Sequence, residues 1–241
     1  MIRDHEFNIR WWGSPVGSVH DPAFFSLDPA TQQKLLKPYA WVEFYSQMDQ
    51  APPLQSLAIA GFFQVGIQIQ FLLNLRKVQA PACKDRLNYT FADHKNFAIN
   101  AGEIAMFAHE RFQYIPGCTA TRINERYALW ANELIREYPE TCMQLFLDNK
   151  IQGWFLSRPI KQRGLNLALA MLSNNAEISG MLLYQQAIVA YSGRSHRLGK
   201  ASFSVTDTPV HNIYATLGAR FTPPGGNWLW ISEAVGKLTH G

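Results

Sequence analysis

Hydrophobic and polar positions alternate most strictly at 64–71. Val65, Ile67, Ile69 and Phe71 are separated there by Gln64, Gly66, Gln68 and Gln70. A period of two puts one set on each face, so this segment predicts a half-buried strand. Just upstream, Pro52-Pro53 is suited to open a helix, Leu54 to Ala60 fills it, and Gly61 is suited to the left-handed position beyond its end. Trp41 to Gln47 is aromatic-rich and reads equally as strand or helix. Residues 76–90 carry Arg76, Lys77, Pro81, Lys84, Asp85 and Arg86 with little periodicity, which predicts a linker and a domain boundary within 80–88.

Further along, Asp93 to His109 predicts a helix with Phe97, Ile104, Phe107 and Ala108 as its apolar stripe. Ile123, Tyr127, Trp130 and Leu134 recur at helical spacing, and Pro139 ends that helix. Cys142–Leu147, a turn at Asp148-Asn149-Lys150, and Ile151–Ser157 predict a hairpin. Leu165, Leu167, Leu169 and Met171 lie on a third strand, apolar on nearly both faces, as a buried central strand is. A helix from about Ser179 to Tyr191, a strand at Ala201–Val205, a helix opened by Pro209 and closed at Gly218, and a strand at Trp228–Ile231 complete the pattern. This is an α+β order with a mixed central sheet flanked by helices. Residues 1–80 are expected as a small N-terminal α/β domain and 88–241 as the larger one.

Composition narrows the classes. At 241 residues and 47% apolar the chain can bury a real core; 17% charged residues is low, and disorder is not expected. A net charge of +4, with scattered basic residues and no basic run, does not imply nucleic acid. No apolar run is long enough for a membrane span, and Met1-Ile2-Arg3-Asp4-His5 does not open a signal peptide. Cys83, Cys118 and Cys142 are too widely spaced for a disulfide framework or a zinc site, and the seven histidines show no ligand spacing. No metal is expected, and a soluble cytoplasmic protein is.

One internal echo stands out. Leu57-Ala58-Ile59-Ala60-Gly61-Phe62 and Tyr214-Ala215-Thr216-Leu217-Gly218-Ala219 are both helix ends closed by glycine before a strand. It reads equally as coincidence or as partial duplication, the N-terminal part being a truncated copy.

Asp207-Thr208-Pro209-Val210-His211-Asn212-Ile213-Tyr214-Ala215-Thr216-Leu217-Gly218-Ala219 resembles the last motif of the GNAT acyltransferases, N-x-x-A-x-x-x-Y-x-x-x-G-F after a strand. Asp207 stands for Asn, Val210 for Ala and Ala219 for Phe; Tyr214 and Gly218 keep their places. The layout, with Trp12-Gly13, the unit ending at Gly61-Phe62, and Arg111-Phe112 before the helix of Tyr127 and Trp130, is similar to the TDP-fucosamine N-acetyltransferases. That resemblance implies a GNAT-like fold, an acetyl-CoA or other acyl-CoA co-substrate, and an amine acceptor on a nucleotide-linked sugar. The family's diphosphate loop, R/Q-x-x-G-x-G/A, falls on Asn175-Ala176-Glu177-Ile178-Ser179-Gly180, where only the last glycine survives. Bulk at Ile178 and charge at Glu177 oppose a diphosphate at a helix start.

The resemblance implies that Tyr214 protonates the leaving thiolate; the alternative is a packed tyrosine. It gives Leu169, Ala170 and Met171 the backbone contacts to pantetheine and the thioester carbonyl. Ile178, Ser179, Gly180 and Asp207 follow as co-substrate contacts. Arg111 and Tyr114 fall where the family contacts its acceptor; a solvated helix-end arginine is the other reading. Arg194, His196, Arg197 and Lys200 form a basic loop, read as a phosphate contact or as a solvated turn. His109-Glu110 supplies a general base or a helix-end charge pair.

The expected function is N-acyl transfer from a CoA thioester to a small-molecule amine. Two alternatives stay open. An acyl carrier protein as donor would bring its own pantetheine and need no strong diphosphate loop. A non-catalytic binding or scaffold protein would tolerate a degenerate loop. A homodimer is compatible with the sequence.

Overall fold

The computed structural model describes residues 1–82, 86–107 and 110–236. In chain order the elements are β1 (Ile2–Asp4), α1 (Glu6–Trp12), β2 (Val16–Val19), α2 (Pro29–Leu36), β3 (Trp41–Gln47), α3 (Leu54–Ile59), β4 (Phe63–Asn74), β5 (Leu87–Phe91), α4 (Ala120–Glu137), β6 (Cys142–Leu147), β7 (Lys150–Ile160), β8 (Gly164–Leu172), α5 (Gly180–Gly193), β9 (Leu198–Ser204), α6 (Thr208–Thr216), β10 (Arg220–Ile231) and α7 (Glu233–Gly236).

Two stretches repeat without a gap. β3, α3 and β4 have the bounds of β9, the end of α6 and β10 shifted by 157 residues: Trp41 maps to Leu198, Gly61 to Gly218 and Phe63 to Arg220. Both glycines are left-handed, with φ of 80° and 81°. Both helices end in the same paired bonds. Gly61 N–H donates to Ala58 and Phe62 N–H to Leu57; Gly218 N–H donates to Ala215 and Ala219 N–H to Tyr214. This two-bond ending satisfies the last carbonyls and requires the left-handed residue that glycine adopts without strain. Leu57 and Tyr214 are therefore equivalent positions, and both are buried.

The chain forms two compact units, 1–69 with 109–123 and 223–241, and 70–108 with 124–222. In the first, strands run β1-β2-β3-β10-β4, using the early part of β4. β2 and β3 are parallel; β3 and β10 are antiparallel from Gly225↔Gln47 to Ile231↔Trp41. Phe24, Phe25, Phe44, Leu57 and Trp228 share one core there. In the second unit the order is β4-β9-β8-β7-β6-β5, with the late part of β4. One face packs Phe71, Phe155, Leu165 and Leu167 under Tyr184, Ile188 and Tyr191 of α5 and Tyr214 of α6. The other packs Trp154, Leu156, Leu169 and Met171 under Ala131, Leu134 and Ile135 of α4.

β8 reaches both faces through a bulge. Between the pairs Leu156↔Leu169 and Arg158↔Asn166, β7 advances two residues while β8 advances three. The extra residue reverses the side-chain alternation. Leu165 and Leu167 thus join the α5 side, and Leu169 and Met171 the α4 side. The turn before β7 is left-handed at Asp148 and Asn149, the backbone a two-residue hairpin demands.

Several expectations need correction. The segment expected as a helix at 93–109 is irregular as far as it is described, with one 3-10 turn at Ala101–Glu103; Ala108 and His109 lie outside the described residues. Side chains of α4 take over its backbone groups. Asn132 accepts from Ile99 N–H at 3.0 Å and donates to its carbonyl at 2.9 Å, and Asn124 donates to the Ile104 carbonyl at 3.0 Å. Those bonds compensate an extended backbone, so no helix is needed. The last strand begins at Arg220, eight residues before the expected start, and tolerates Pro223 and Pro224 because its pairing with β3 begins only at Gly225. Trp41–Gln47 resolves as strand. The expected division into 1–80 and 88–241 differs from these units, since β4 and β10 each contribute to both; residues 83–85 of the expected boundary lie outside the described residues.

Phe71 and Trp228 are equivalent positions on the two long strands, each 1% exposed. Phe71 packs 3.9 Å from the Tyr214 ring, and Trp228 shares a core with Leu57. Phe71→Ala and Trp228→Ala are each expected to cost about 3–5 kcal/mol in a urea melt, the usual range for a buried large aromatic.

Candidate active site

The second unit holds a parted pair of strands. β8 and β9 are parallel and pair only at Gly164↔Leu198, Leu165↔Gly199 and Asn166↔Lys200. Beyond Asn166, β8 continues to Leu172 and β9 to Ser204 without pairing to each other. The far end of β8 is closed by the chain itself. Ile104 bridges Ser173, Ala105 N–H donates to the Leu172 carbonyl at 3.0 Å, and Asn174 N–H donates to the Glu103 carbonyl at 2.9 Å. Between these two closures lies an open strand edge from Leu167 to Met171.

Alternation decides which backbone groups face the gap. Ser173 N–H donates to the Gln152 carbonyl of β7 at 2.8 Å, whereas the Leu172 carbonyl points the other way, to Ala105. Counting back, Met171 and Leu169 turn their backbone to β7, and Ala170 turns its N–H and C=O into the gap. Of the three expected residues, Ala170 is the one offering free backbone groups. An unpaired edge accepts an extended ligand as an added strand.

The loop after β8 leads to α5, whose N-cap is Ser179 and whose first turn carries no acid. Its free N–H groups and dipole favour an anion. Glu177 is less adverse than the sequence implies, because Lys150 pairs with it at 2.9 Å. The Glu177 N–H, however, is occupied by the Gln152 side-chain oxygen at 2.6 Å, and Ile178 packs against the α5-side core. Gly180 is close-packed: a β-carbon there would lie 3.3 Å from Ile213.

Tyr214 is 4% exposed, with its ring 5.2 Å from Tyr184 and 5.8 Å from Phe203, besides the Phe71 contact. Burial holds its phenol well above the usual value, with Tyr184 and Tyr191 adding to the effect. It stays protonated through the neutral range, so it does not serve as a base there. Asp207 is the N-cap of α6, its carboxylate accepting from Val210 N–H at 3.2 Å. That capping bond explains an acid here on folding grounds.

Arg111 and Tyr114 belong to the first unit. The Arg111 guanidinium lies 3.5 Å from Glu43, 4.0 Å from Glu110 and 4.4 Å from the Phe112 ring centre, so two carboxylates already engage its charge. Tyr114 is 52% exposed. In the basic loop, Arg194 is committed to Asp93 at 2.8 Å and lies over the Phe91 ring, and its guanidinium holds the Asp93 carboxyl below the usual range. Burial pushes the Cys142 thiol up to about 12. Among the described residues no cluster of three or more His, Cys, Asp or Glu is arranged for a metal, and no helix is long and apolar enough to cross a membrane. The bulge and the closing segment went unread in the sequence. The pair Asn124 and Asn132, eight apart on one helix face, was the signal for the latter.

Parallel strands splayed past a bulge, a helix N-terminus beyond them and a tyrosine on the following helix make the mixed α+β fold of the GCN5-related N-acetyltransferases (GNAT). Solved structures with this fold are similar over most of the chain. One is a GCN5-related N-acetyltransferase from Sphaerobacter thermophilus: TM-score 0.55, 14% identity, covering 95% of this chain and 75% of that one. Another is a functionally unknown conserved protein from Staphylococcus epidermidis: 0.59, 13%, 91% and 84%. A tandem GNAT protein from the clavulanic acid biosynthesis pathway also matches: 0.53, 12%, 91% and 76%. Its tandem make-up accords with the two units found here. No family model and no curated protein matches the chain.

Gln152 is fully buried and fastens the loop to β7. Gln152→Ala is expected to speed hydrogen exchange at the Glu177 amide by about tenfold or more, the equivalent of one lost buried bond. Mass spectrometry or NMR exchange checks it.

Proposed function

We propose that the protein is an N-acyltransferase moving an acyl group, acetyl in the simplest case, from a coenzyme A thioester to a primary amine. The observation that carries this is the open β8 edge, with Ala170 N–H and C=O facing the gap. A pantetheine arm is an extended amide chain and matches such an edge as an added strand would. The α5 N-terminus, free of acids in its first turn, suits a diphosphate.

In this reading the neutral amine, having lost its proton to water, attacks the thioester carbonyl carbon. The C–N bond forms and the carbonyl electrons move to oxygen, where a backbone N–H of β8 stabilises the charge. The electrons return and the C–S bond breaks; the nitrogen gives its extra proton to water, and the thiolate takes the Tyr214 proton, which the phenolate regains from water. Following the resemblance in the sequence, the acceptor is an amino sugar, with a nucleotide-linked one as the specific case.

A carrier-protein thioester is the second reading of the donor. The engaged Glu177 N–H and the packed Ile178 favour it, since both reduce what the loop offers a diphosphate. Calorimetry separates the two: free acetyl-CoA binds under the first and not under the second.

Tyr214→Phe is expected to lower turnover by about 10²- to 10⁴-fold, the range for a lost general acid, with donor affinity within about twofold. Undiminished turnover on a confirmed substrate makes this tyrosine structural. Ala170→Pro removes one N–H from the gap and none from the β7 ladder. It is expected to keep a cooperative melt while weakening donor binding at least about tenfold, one charge-free hydrogen bond plus the added bulk. Unchanged donor binding means that the donor does not lie along β8.

A further inference from the structure

The apex of the gap carries a row of polar side chains that the reading above does not use. Arg158 pairs across to Asn166, and Asn166 to Lys200, so the three residues sit side by side on β7, β8 and β9. Residues directly opposite in a ladder project from the same face. That face is the α4 side. Leu165 packs on the α5 side, and a β-carbon on Gly199 would meet Leu167 and Leu75 of that same core. Their neighbours Asn166 and Lys200 therefore face away from it. Arg158, two residues after Leu156 of the α4-side core, does so too.

Asn166–Lys200 is also the last pair before the strands part. The row thus lies where a donor arm running down the gap would end and its carbonyl would meet an acceptor.

The charges in the row are not spent on the protein. Arg158 and Lys200 are exposed, and neither forms an ion pair or side-chain hydrogen bond among the described residues. Arg158 is close enough to the Tyr138 phenol to influence its titration, and the nearby Glu137 carboxylate accepts the Tyr138 hydroxyl at 2.6 Å. The Cα atoms of Arg158 and Lys200 lie about 10 Å apart, two strand spacings of roughly 4.8 Å. Side chains of this length are long enough to reach one oxyanion placed over Asn166 from both sides. Arg163 and Arg197, joined by Arg197 N–H donating to the Arg163 carbonyl at 3.0 Å, add positive charge at the closed end of the strands.

We propose that the acceptor carries an anionic group, a carboxylate or a phosphate, close to its amine, and that Arg158, Asn166 and Lys200 hold it. A planar guanidinium and an amide match either oxyanion, and a lysine adds a point charge. This inference rests on the acyl-transfer reading.

The test compares β-alanine and 2-aminoethyl phosphate with propylamine and ethanolamine as acceptors, using acetyl-CoA. The anionic amines are expected to show at least about tenfold higher kcat/KM. The ratio of anionic to neutral kcat/KM is expected to collapse in Arg158→Gln and Lys200→Gln, but not in Lys34→Gln, which changes net charge alone. The better of the two anionic amines identifies which oxyanion is read. Equal rates on all four amines, or a preference that survives both substitutions, overturns the anion row while leaving acyl transfer standing. Should no amine be acylated, acyl transfer fails, and calorimetry with 2-aminoethyl phosphate still decides the row. Binding at least about tenfold weaker in the double variant supports it; equal binding, or none to the wild type, overturns it.

Discussion

The site depends on one residue of excess length in β8. Without the bulge, a strand apolar at every second position would bury one face and remain flush with its neighbour β9. With it, Leu165 and Leu167 are claimed by the α5 side, Leu169 and Met171 by the α4 side, and the strand is gripped from both faces. A strand held in that way cannot move to pair with β9 beyond Asn166. The lost backbone hydrogen bonds cost stability, and the two aliphatic pairs packed on opposite faces offset it. The open edge is thus a consequence of core packing, maintained whether or not a ligand is present.

The far limit of that edge has an equally local cause. Asn124 and Asn132 hold an extended segment against α4, and its end at Ile104–Ala105 pairs with the close of β8. Gln152 does the same for the following loop, using its main chain for Ser173 and its side chain for Glu177. Three amide side chains, two of them buried, therefore define where the gap stops and where the helix begins. Amides suit this work because each offers a donor and an acceptor without a charge to desolvate.

The sequence is most informative where periodicity and turn chemistry agree. The period-two run at Gln64–Phe71, the helix ended at Gly61 and the turn at Asp148-Asn149 all describe interactions between residues a few positions apart. The segment at 93–109 misleads for the opposite reason. Its apolar spacing is helical, but its backbone partners lie on α4, 20 and 33 residues on, where no local pattern reveals them. The bulge is hidden because Leu165, Leu167, Leu169 and Met171 alternate perfectly in sequence; only the partition of their cores exposes the shift. Tyr214 and Gly218 stand out in the sequence through a motif with fixed spacing; in the structure the first lies in the α5-side core and the second takes the left-handed place at the end of α6. The row of Arg158, Asn166 and Lys200 was not, since it is assembled by register across three strands.

The repeat gives the molecule a built-in comparison. At one helix end Leu57 fills the core; at the equivalent end Tyr214 fills the other core and adds a hydroxyl. The same scaffold thus poses the same packing problem twice, with and without a polar atom. What a substitution at Leu57 does reflects architecture alone. Whatever Tyr214 does beyond that belongs to its ring and its oxygen, so the chain supplies its own reference state for what the scaffold alone requires.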